Sequence, residues 1–115
     1  MIRVKRVYET AKKEDGYRVL VDRLWPRGMK KEAAKVDLWM KDVAPSDALR
    51  KSFHQQAMKW PDFEKKYQAE LKKKPAWIAE LKRLEKQHGT LTLLFGARDP
   101  EHNQAVIIAE ALNRK

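Results

Sequence analysis

Hydrophobic and polar residues alternate near the start of the chain, and two denser apolar runs follow. Ile2 and Val4 alternate with basic residues, with one slip before Val7, which is typical of a half-buried or edge strand. Residues 17–22 and 90–95 are rich in consecutive β-branched and apolar residues, which predicts two central strands. The link between the first two strands is shorter than a usual parallel crossover, so the pattern leaves their relative direction open.

Elsewhere the apolar residues recur at intervals of three and four, which predicts helices. Residues 30–35 have high helix propensity, and the apolar spacing as far as Val43 is compatible with an extension of that helix. Pro45 ends this segment, and Ser46 follows as the predicted N-cap of the next helix. The stripes of the later helices are Leu49, Phe53 and Ala57; Phe63, Tyr67 and Leu71; Trp77, Ile78, Leu81, Leu84 and His88; and Ala105, Ile108, Ala109 and Leu112.

Proline, glycine and aspartate mark the ends of the later helices. Pro61 and Pro75 suit first turns, where a missing backbone N–H has no consequence, and Gly89 suits a C-cap. Asp99 followed by Pro100 predicts the N-cap and first position of the last helix. The chain, residues 1–115, is therefore predicted to be a single small α/β domain. We expect a short, mostly parallel or mixed sheet of about three strands flanked by about five helices.

Composition narrows the chemistry. Lys and Arg number 26 against 16 Asp and Glu, a formal net charge of +10, and the chain has no cysteine. Disulfides, thiolate catalysis and cysteine-ligated metals are therefore excluded, and three scattered histidines predict no metal site. The sequence implies no cofactor. No apolar run suits a membrane span or a signal peptide, so we expect a cytoplasmic protein without membrane partners.

Candidate site residues follow the two central strands. Arg23, Trp25 and Arg27 follow the first, and Arg98, Asp99 and His102 follow the second. In open α/β sheets the loops after the strands form ligand sites, so the arginines are predicted to gather an anion beside the N-terminus of the last helix. The alternative is that the arginines pair with Asp22 and Asp99, that Trp25 is a core residue and that Asp99 is only a cap.

A second group lies on one helix face. Ser46, Arg50 and His54 are four residues apart, so they form a row that suits an oxyanion or phosphate. His54 is the candidate general acid or base, since a histidine exchanges a proton near neutral pH. A structural His54 is the competing interpretation.

Three blocks of the sequence closely resemble the YeaO-like family of small bacterial proteins of unknown function. They read YRVLVDRLWPRGMKKE, WMKDVAPSDALRKSFH and TLLFGARDPEHNQAVIIAEAL, and the resemblance covers nearly the whole chain. It implies a cytoplasmic bacterial α/β protein and marks Arg23, Trp25, Arg27, Ser46, Arg50, His54, Asp99, His102 and Asn103 as motif positions. The broader group often carries cysteine at the end of the last strand and a Cys-His-Arg run opening the last helix. Phe95 and Asn103-Gln104-Ala105 stand there in this chain, so no thiol chemistry is implied.

The leading hypothesis is a site for a small phosphate-, nucleotide- or carboxylate-bearing ligand at the carboxyl edge of the sheet. It does not choose between binding and catalysis, and the pattern predicts no oligomeric state. A basic protein that binds nucleic acid without base specificity, or acts as an adaptor, is the alternative suggested by the net charge. Four tryptophans in so short a chain suggest a third class, a regulatory or structural partner protein.

Overall fold

The computed structural model describes residues 1–114, and its centre is a four-stranded parallel sheet. The strands are β1 (Ile2–Arg6), β2 (Tyr17–Leu20), β3 (Leu38–Trp39) and β4 (Leu91–Phe95). Their order across the sheet is β1-β4-β2-β3, and every neighbouring pair is parallel. The α/β class predicted from the sequence is confirmed, with four strands instead of about three.

The position of β4 settles the direction of the first strand. Leu93 pairs with Val4 on one side and with Val19 on the other, so β1 and β2 are parallel but not adjacent. A hairpin is impossible for strands with a third strand between them. The short link crosses this gap through a 3₁₀ turn, Lys13–Asp15.

Within residues 1–114, five α-helices surround the sheet, namely α1 (Lys31–Ala34), α2 (Asp47–His54), α3 (Trp60–Lys72), α4 (Pro75–His88) and α5 (Gln104–Asn113). The last four agree with the predicted helices in number and order. As predicted, Phe63, Tyr67 and Leu71 are buried on α3, Gly89 caps α4 with a positive φ of 83°, and Ser46 caps α2. No helix among residues 1–114 combines the length and apolar character needed to cross a bilayer.

The predicted extension of α1 is wrong. Lys35 adopts a left-handed conformation with φ 47°, and the chain then runs along the edge of β2 as β3. Asp37 makes the attachment, because its backbone N–H donates to the Arg18 carbonyl and its carboxylate accepts from the Arg18 N–H, both at 2.8 Å. Tertiary pairing therefore overrides the helical spacing of residues 36–43.

The predicted start of α5 is also wrong. The Asp99 carboxylate accepts from the backbone N–H groups of Glu101 and His102 and so closes a separate turn. Asn103 is the true N-cap, with its side-chain oxygen 3.2 Å from the N–H of Val106. Both residue types are good N-caps, so residue type by itself does not decide between Asp99 and Asn103. His102 therefore precedes the helix instead of lying in its first turn.

Three positions of the predicted helix stripes are exposed, and His88 at the end of α4 is one of them. Trp77 on α4 is 37% exposed, and Ala57 lies beyond α2 after a left-handed Gln56 has turned the chain. The main core instead fills the space between one face of the sheet and helices α3 to α5, where Val19, Leu93 and Tyr67 are fully buried.

A smaller cluster covers the other face of the sheet. Leu20 and Leu94 are fully buried there, and Trp25 and Trp39 pack against them. Successive residues of β2 and β4 thus point to opposite faces of the sheet, because side chains alternate in direction along a β-strand. The carboxyl ends of β1, β2 and β4 meet at one edge, where the loops after β2 and β4 lie side by side.

Next to the smaller cluster is a buried ion network. Asp15 accepts hydrogen bonds from Lys5 and Arg18, and Arg18 also donates to the carbonyls of Ala34 and Lys35. Burial by itself raises the pKa of Asp15, but hydrogen bonds from the Lys12 backbone, Lys5 and Arg18 outweigh it, so the pKa lies below its usual value. The network ties α1 and the 3₁₀ turn to the strands.

Candidate functional site

A cleft of about 270 Å³ opens at the carboxyl edge of the sheet. The loops after β2 and β4, the start of α5 and one face of α2 form its walls. Its lining residues are Tyr8, Asp22, Arg23, Leu24, Trp25, Pro26, Arg27, Pro45, Arg50, Phe53, His54, Phe63, Gly96, Ala97, His102, Asn103 and Gln104. The two groups of candidate residues found in the sequence therefore border the same space, apart from Ser46, Arg98 and Asp99.

Arg23 and Arg50 reach the cleft from different elements. Arg23 follows β2, and its Nε donates to the carbonyl of Pro45 at 3.1 Å, which joins the loop to the start of α2. Arg50 comes from α2 itself, one turn before His54. Arg27 lies on the opposite side of the Trp25-Pro26 turn and is exposed.

The two guanidinium groups meet at one carboxylate oxygen. Arg23 Nε lies 3.7 Å and an Arg50 terminal nitrogen 3.4 Å from the same Oδ1 of Asp47. The guanidinium groups are therefore well within the reach of one small anion. The Asp47 side chain is 63% exposed, so this meeting point is open to solvent. Both arginines line the cleft, whereas Asp47 itself does not.

Arg50 also has a donor without a partner. Its Nε is buried, and no residue among 1–114 accepts a hydrogen bond from it. A buried donor without an acceptor is unfavourable by about 1–3 kcal/mol, and native proteins contain few such groups.

Aromatic side chains fix the turn that carries Arg27. Trp25 donates from its indole nitrogen to the carbonyl of Met29 at 2.6 Å and packs edge-on against Trp39. The hydroxyl of Tyr8 donates to the carbonyl of Arg27 at 2.7 Å. Trp25 thus packs against the smaller core cluster and also lines the cleft, so a role in the core is compatible with a role in ligand binding.

Asp22 is the cleft residue that sequence reasoning undervalued. The sequence suggests it only as a partner for the arginines, yet in residues 1–114 no basic side chain lies within 4 Å of its carboxylate. Its oxygens accept instead from the Gly96 N–H, at 2.9 Å, and from the Gln104 amide. Burial raises the pKa of Asp22 to about 6 against the opposing effect of these two hydrogen bonds. Its place directly after a buried strand was the available signal.

His102 and Asn103 form the far rim of the cleft. His102 Nδ1 lies 2.7 Å from Asp99, and the ring packs edge-on against Trp60. The backbone N–H of Glu101 and the His102 ring hold the pKa of Asp99 below its usual value. Asn103 is buried, and both ends of its amide are engaged, one as the cap of α5 and one with the Asp99 carbonyl.

Three predicted site residues lie outside the cleft. Ser46 accepts from the Leu49 N–H and donates its own hydroxyl to Glu70 at 2.6 Å, so it joins α2 to α3. Arg98 is exposed, and Asp99 serves the turn before α5. In the described part of the chain no three His, Asp or Glu side chains are grouped as a metal site requires.

Fold and site together define a small parallel α/β domain with a basic cleft at the carboxyl edge of its sheet. The whole length, residues 1–115, matches the family model described as the inactive DUF488-N3 subclade, and the chain belongs to that family. It is 42% identical to the uncharacterized protein YeaO of Escherichia coli K12, over 96% of both chains. It is 41% identical to the uncharacterized protein Rv3073c of Mycobacterium tuberculosis H37Rv, over 97% of this chain and 93% of the relative. The YeaO-like resemblance is confirmed. No solved structure matches the chain significantly.

Proposed function

We propose that the cleft binds a small anion, in the form of a phosphate-, nucleotide- or carboxylate-bearing metabolite. Arg23, Arg27 and Arg50 neutralise it. Trp25, His102 and Asn103 form walls and rim. Ser46, Arg98 and Asp99 make no contact with this ligand, because they lie outside the cleft.

The shared Asp47 oxygen carries the proposal. Two guanidinium groups from different elements are held around one negatively charged oxygen, which is the arrangement that a ligand phosphate or carboxylate requires. Solvent-exposed ion pairs contribute only about 0–1 kcal/mol, so a ligand anion with several oxygens can replace Asp47 at little loss.

The unpartnered Nε of Arg50 supports the same ligand. Because this nitrogen is buried, the Arg50 side chain must turn toward the cleft before a ligand oxygen can accept from it. That contact would remove an unfavourable buried donor and add a charge-assisted hydrogen bond, typically about 1.5–3 kcal/mol. The size of the cleft limits the ligand, because drug-sized molecules usually occupy about 300–1,000 Å³. A metabolite of modest size fits better than a dinucleotide.

The family to which the chain belongs is described as an inactive subclade, which agrees best with a protein that binds a ligand without converting it. His54 borders the cleft one turn after Arg50, and it is the residue placed to act as general acid or base on a bound ligand. The absence of cysteine removes any thiolate reaction.

The test is a titration followed by NMR, with inorganic phosphate, adenosine monophosphate and succinate as probes. We expect Arg23→Ala and Arg50→Ala each to weaken binding at least about tenfold, because each removes a charge-assisted contact. Arg83→Ala is the matched control, since Arg83 is exposed on α4 and pairs with Glu80, remote from the cleft. Equal losses in all three variants, or no binding of any probe, would refute the proposal.

The net charge of +10 favours a second candidate, binding of nucleic acid through the phosphate backbone. Exposed lysines on α3, such as Lys65 and Lys66, would supply much of the contact. This candidate predicts that affinity for a 20-nucleotide single strand falls steeply between 50 and 200 mM salt. It also predicts that Lys65→Gln and Lys66→Gln weaken binding as much as Arg50→Ala does.

A further inference from the structure

Asp22 is a carboxylate in a cleft lined by three arginines, yet none of them pairs with it in the described part of the chain. Its charge is therefore not used to neutralise the arginines. A partly buried carboxylate without a cationic partner is unfavourable in its ionised form, and carboxylates in such surroundings are concentrated at functional sites.

The surroundings of Asp22 hold its carboxylate in place. The Gly96 N–H and the Gln104 amide each donate to one of its oxygens, from the loop after β4 and from α5. A Cβ atom at Gly96 would lie 2.7 Å from Asp22 Oδ2, so only glycine permits this approach. Each carboxylate oxygen has two acceptor sites, and one on each remains available to a ligand.

We propose that the ligand is an anion that also carries a protonated amine, and that Asp22 binds this amine. The inference rests on the proposed function, because the arginines must hold the anionic end. The anionic end of the ligand is then received by both walls of the cleft and the amine by one of them. Asp22 and Arg23 follow β2 at the edge of the sheet, whereas Arg50 projects from α2.

Charge balance favours an amine over a neutral donor at this position. Burial disfavours the ionised form of Asp22, and a cation bound beside it restores that form. A second anionic group of the ligand would be repelled there. Amino acid-like and aminoalkyl phosphate-like compounds have the required chemistry and size.

The experiment compares two probes that differ in a single group, O-phosphoethanolamine and 2-hydroxyethyl phosphate. The three-carbon pair, 3-aminopropyl and 3-hydroxypropyl phosphate, is titrated as well, because the separation of the two walls decides which amine reaches Asp22. Dissociation constants are measured by NMR, with the Gly96 amide signal as the reporter of contact at Asp22. At one of the two lengths, we expect the amine to bind roughly tenfold more tightly than its hydroxyl partner.

Two variants separate this inference from the proposed function. Asp22→Asn has the same shape and can keep the hydrogen bond from Gly96, so it should remove the preference for the amine. The hydroxyl probe should bind at least as tightly as before, because a negative charge has left the cleft. Arg50→Ala should weaken both probes equally. Equal binding of amine and hydroxyl at both lengths in the unaltered protein would overturn the inference while leaving anion binding intact. Failure of all four probes to bind would contradict both.

Discussion

The raised pKa of Asp22 predicts a particular dependence of stability on pH. The pKa of this carboxyl is about 6 in the folded protein against an ordinary value of 3.8 for an aspartate, so the folded state holds the proton more tightly than the unfolded state. As pH rises from about 4 to about 6, the unfolded chain loses this proton first, and the free energy of unfolding falls. Above that range Asp22 is ionised in both states, and its effect no longer changes.

The magnitude follows from the size of the shift. A shift of about two pKa units corresponds to about 3 kcal/mol at 1.36 kcal/mol per unit. Asp22→Asn removes this titration and keeps the shape of the side chain, and the Gln104 amide can rotate to accept a hydrogen bond from the new amide. We therefore expect the difference in free energy of unfolding between the variant and the unaltered protein to change by up to about 3 kcal/mol in favour of the variant as pH rises from 4 to 7.

The assay is urea unfolding followed by tryptophan fluorescence at several pH values from 4 to 8. The quantity compared is the difference in free energy of unfolding between variant and unaltered protein, because the contributions of other titrating groups cancel in it. Asp42→Asn is the control, since Asp42 is exposed and lies outside the cleft. A difference for Asp22→Asn that changes by less than about 0.5 kcal/mol over this range would refute the reasoning.

Three further predictions concern stability and the cleft. Asp15→Asn leaves Lys5 and Arg18 without their carboxylate partner and should lower the free energy of unfolding by about 3–5 kcal/mol. The neighbouring Glu14→Gln is the control and should change this free energy little. Both variants are measured by urea unfolding. Ser46→Ala should lower stability by about 1 kcal/mol through loss of the cap, and phosphate titrations should show unchanged binding. Gly96→Ala should destabilise the protein by about 1–3 kcal/mol, because the new Cβ displaces the Asp22 carboxylate. The same displacement should shift the pKa of Asp22 measured by NMR. An unshifted pKa would contradict the close contact between Gly96 and Asp22.

Local features of the chain were predicted well because they depend on neighbours within one or two turns. The apolar spacing and proline positions of α3 and α4 determine those helices whatever surrounds them. The strand β3 was missed for the opposite reason. It is only two residues long, and it exists because Asp37 hydrogen-bonds to the edge of β2, which is a contact between distant residues.

The same distinction between local and long-range features applies to the candidate site. The arginines, the histidine of α2 and the edge of the sheet at which they lie could be predicted from strand ends and helix spacing. The sequence could not indicate that Arg23 and Arg50 share an oxygen of Asp47, or that Asp22 is free of them. Both facts depend on the packing of α2 against the loop after β2.

The amino-acid sequence by itself determined the class of fold, the helices and the residues available for binding an anion, since these follow from periodicity, capping and charge. Tertiary structure alone decided the strand order, in which β4 separates β1 from β2, and with it the joining of two distant loops into one cleft. The physical reason is that strand pairing and side-chain burial join segments far apart in the chain. Their free energies therefore depend on how the whole domain packs, and no local pattern records them.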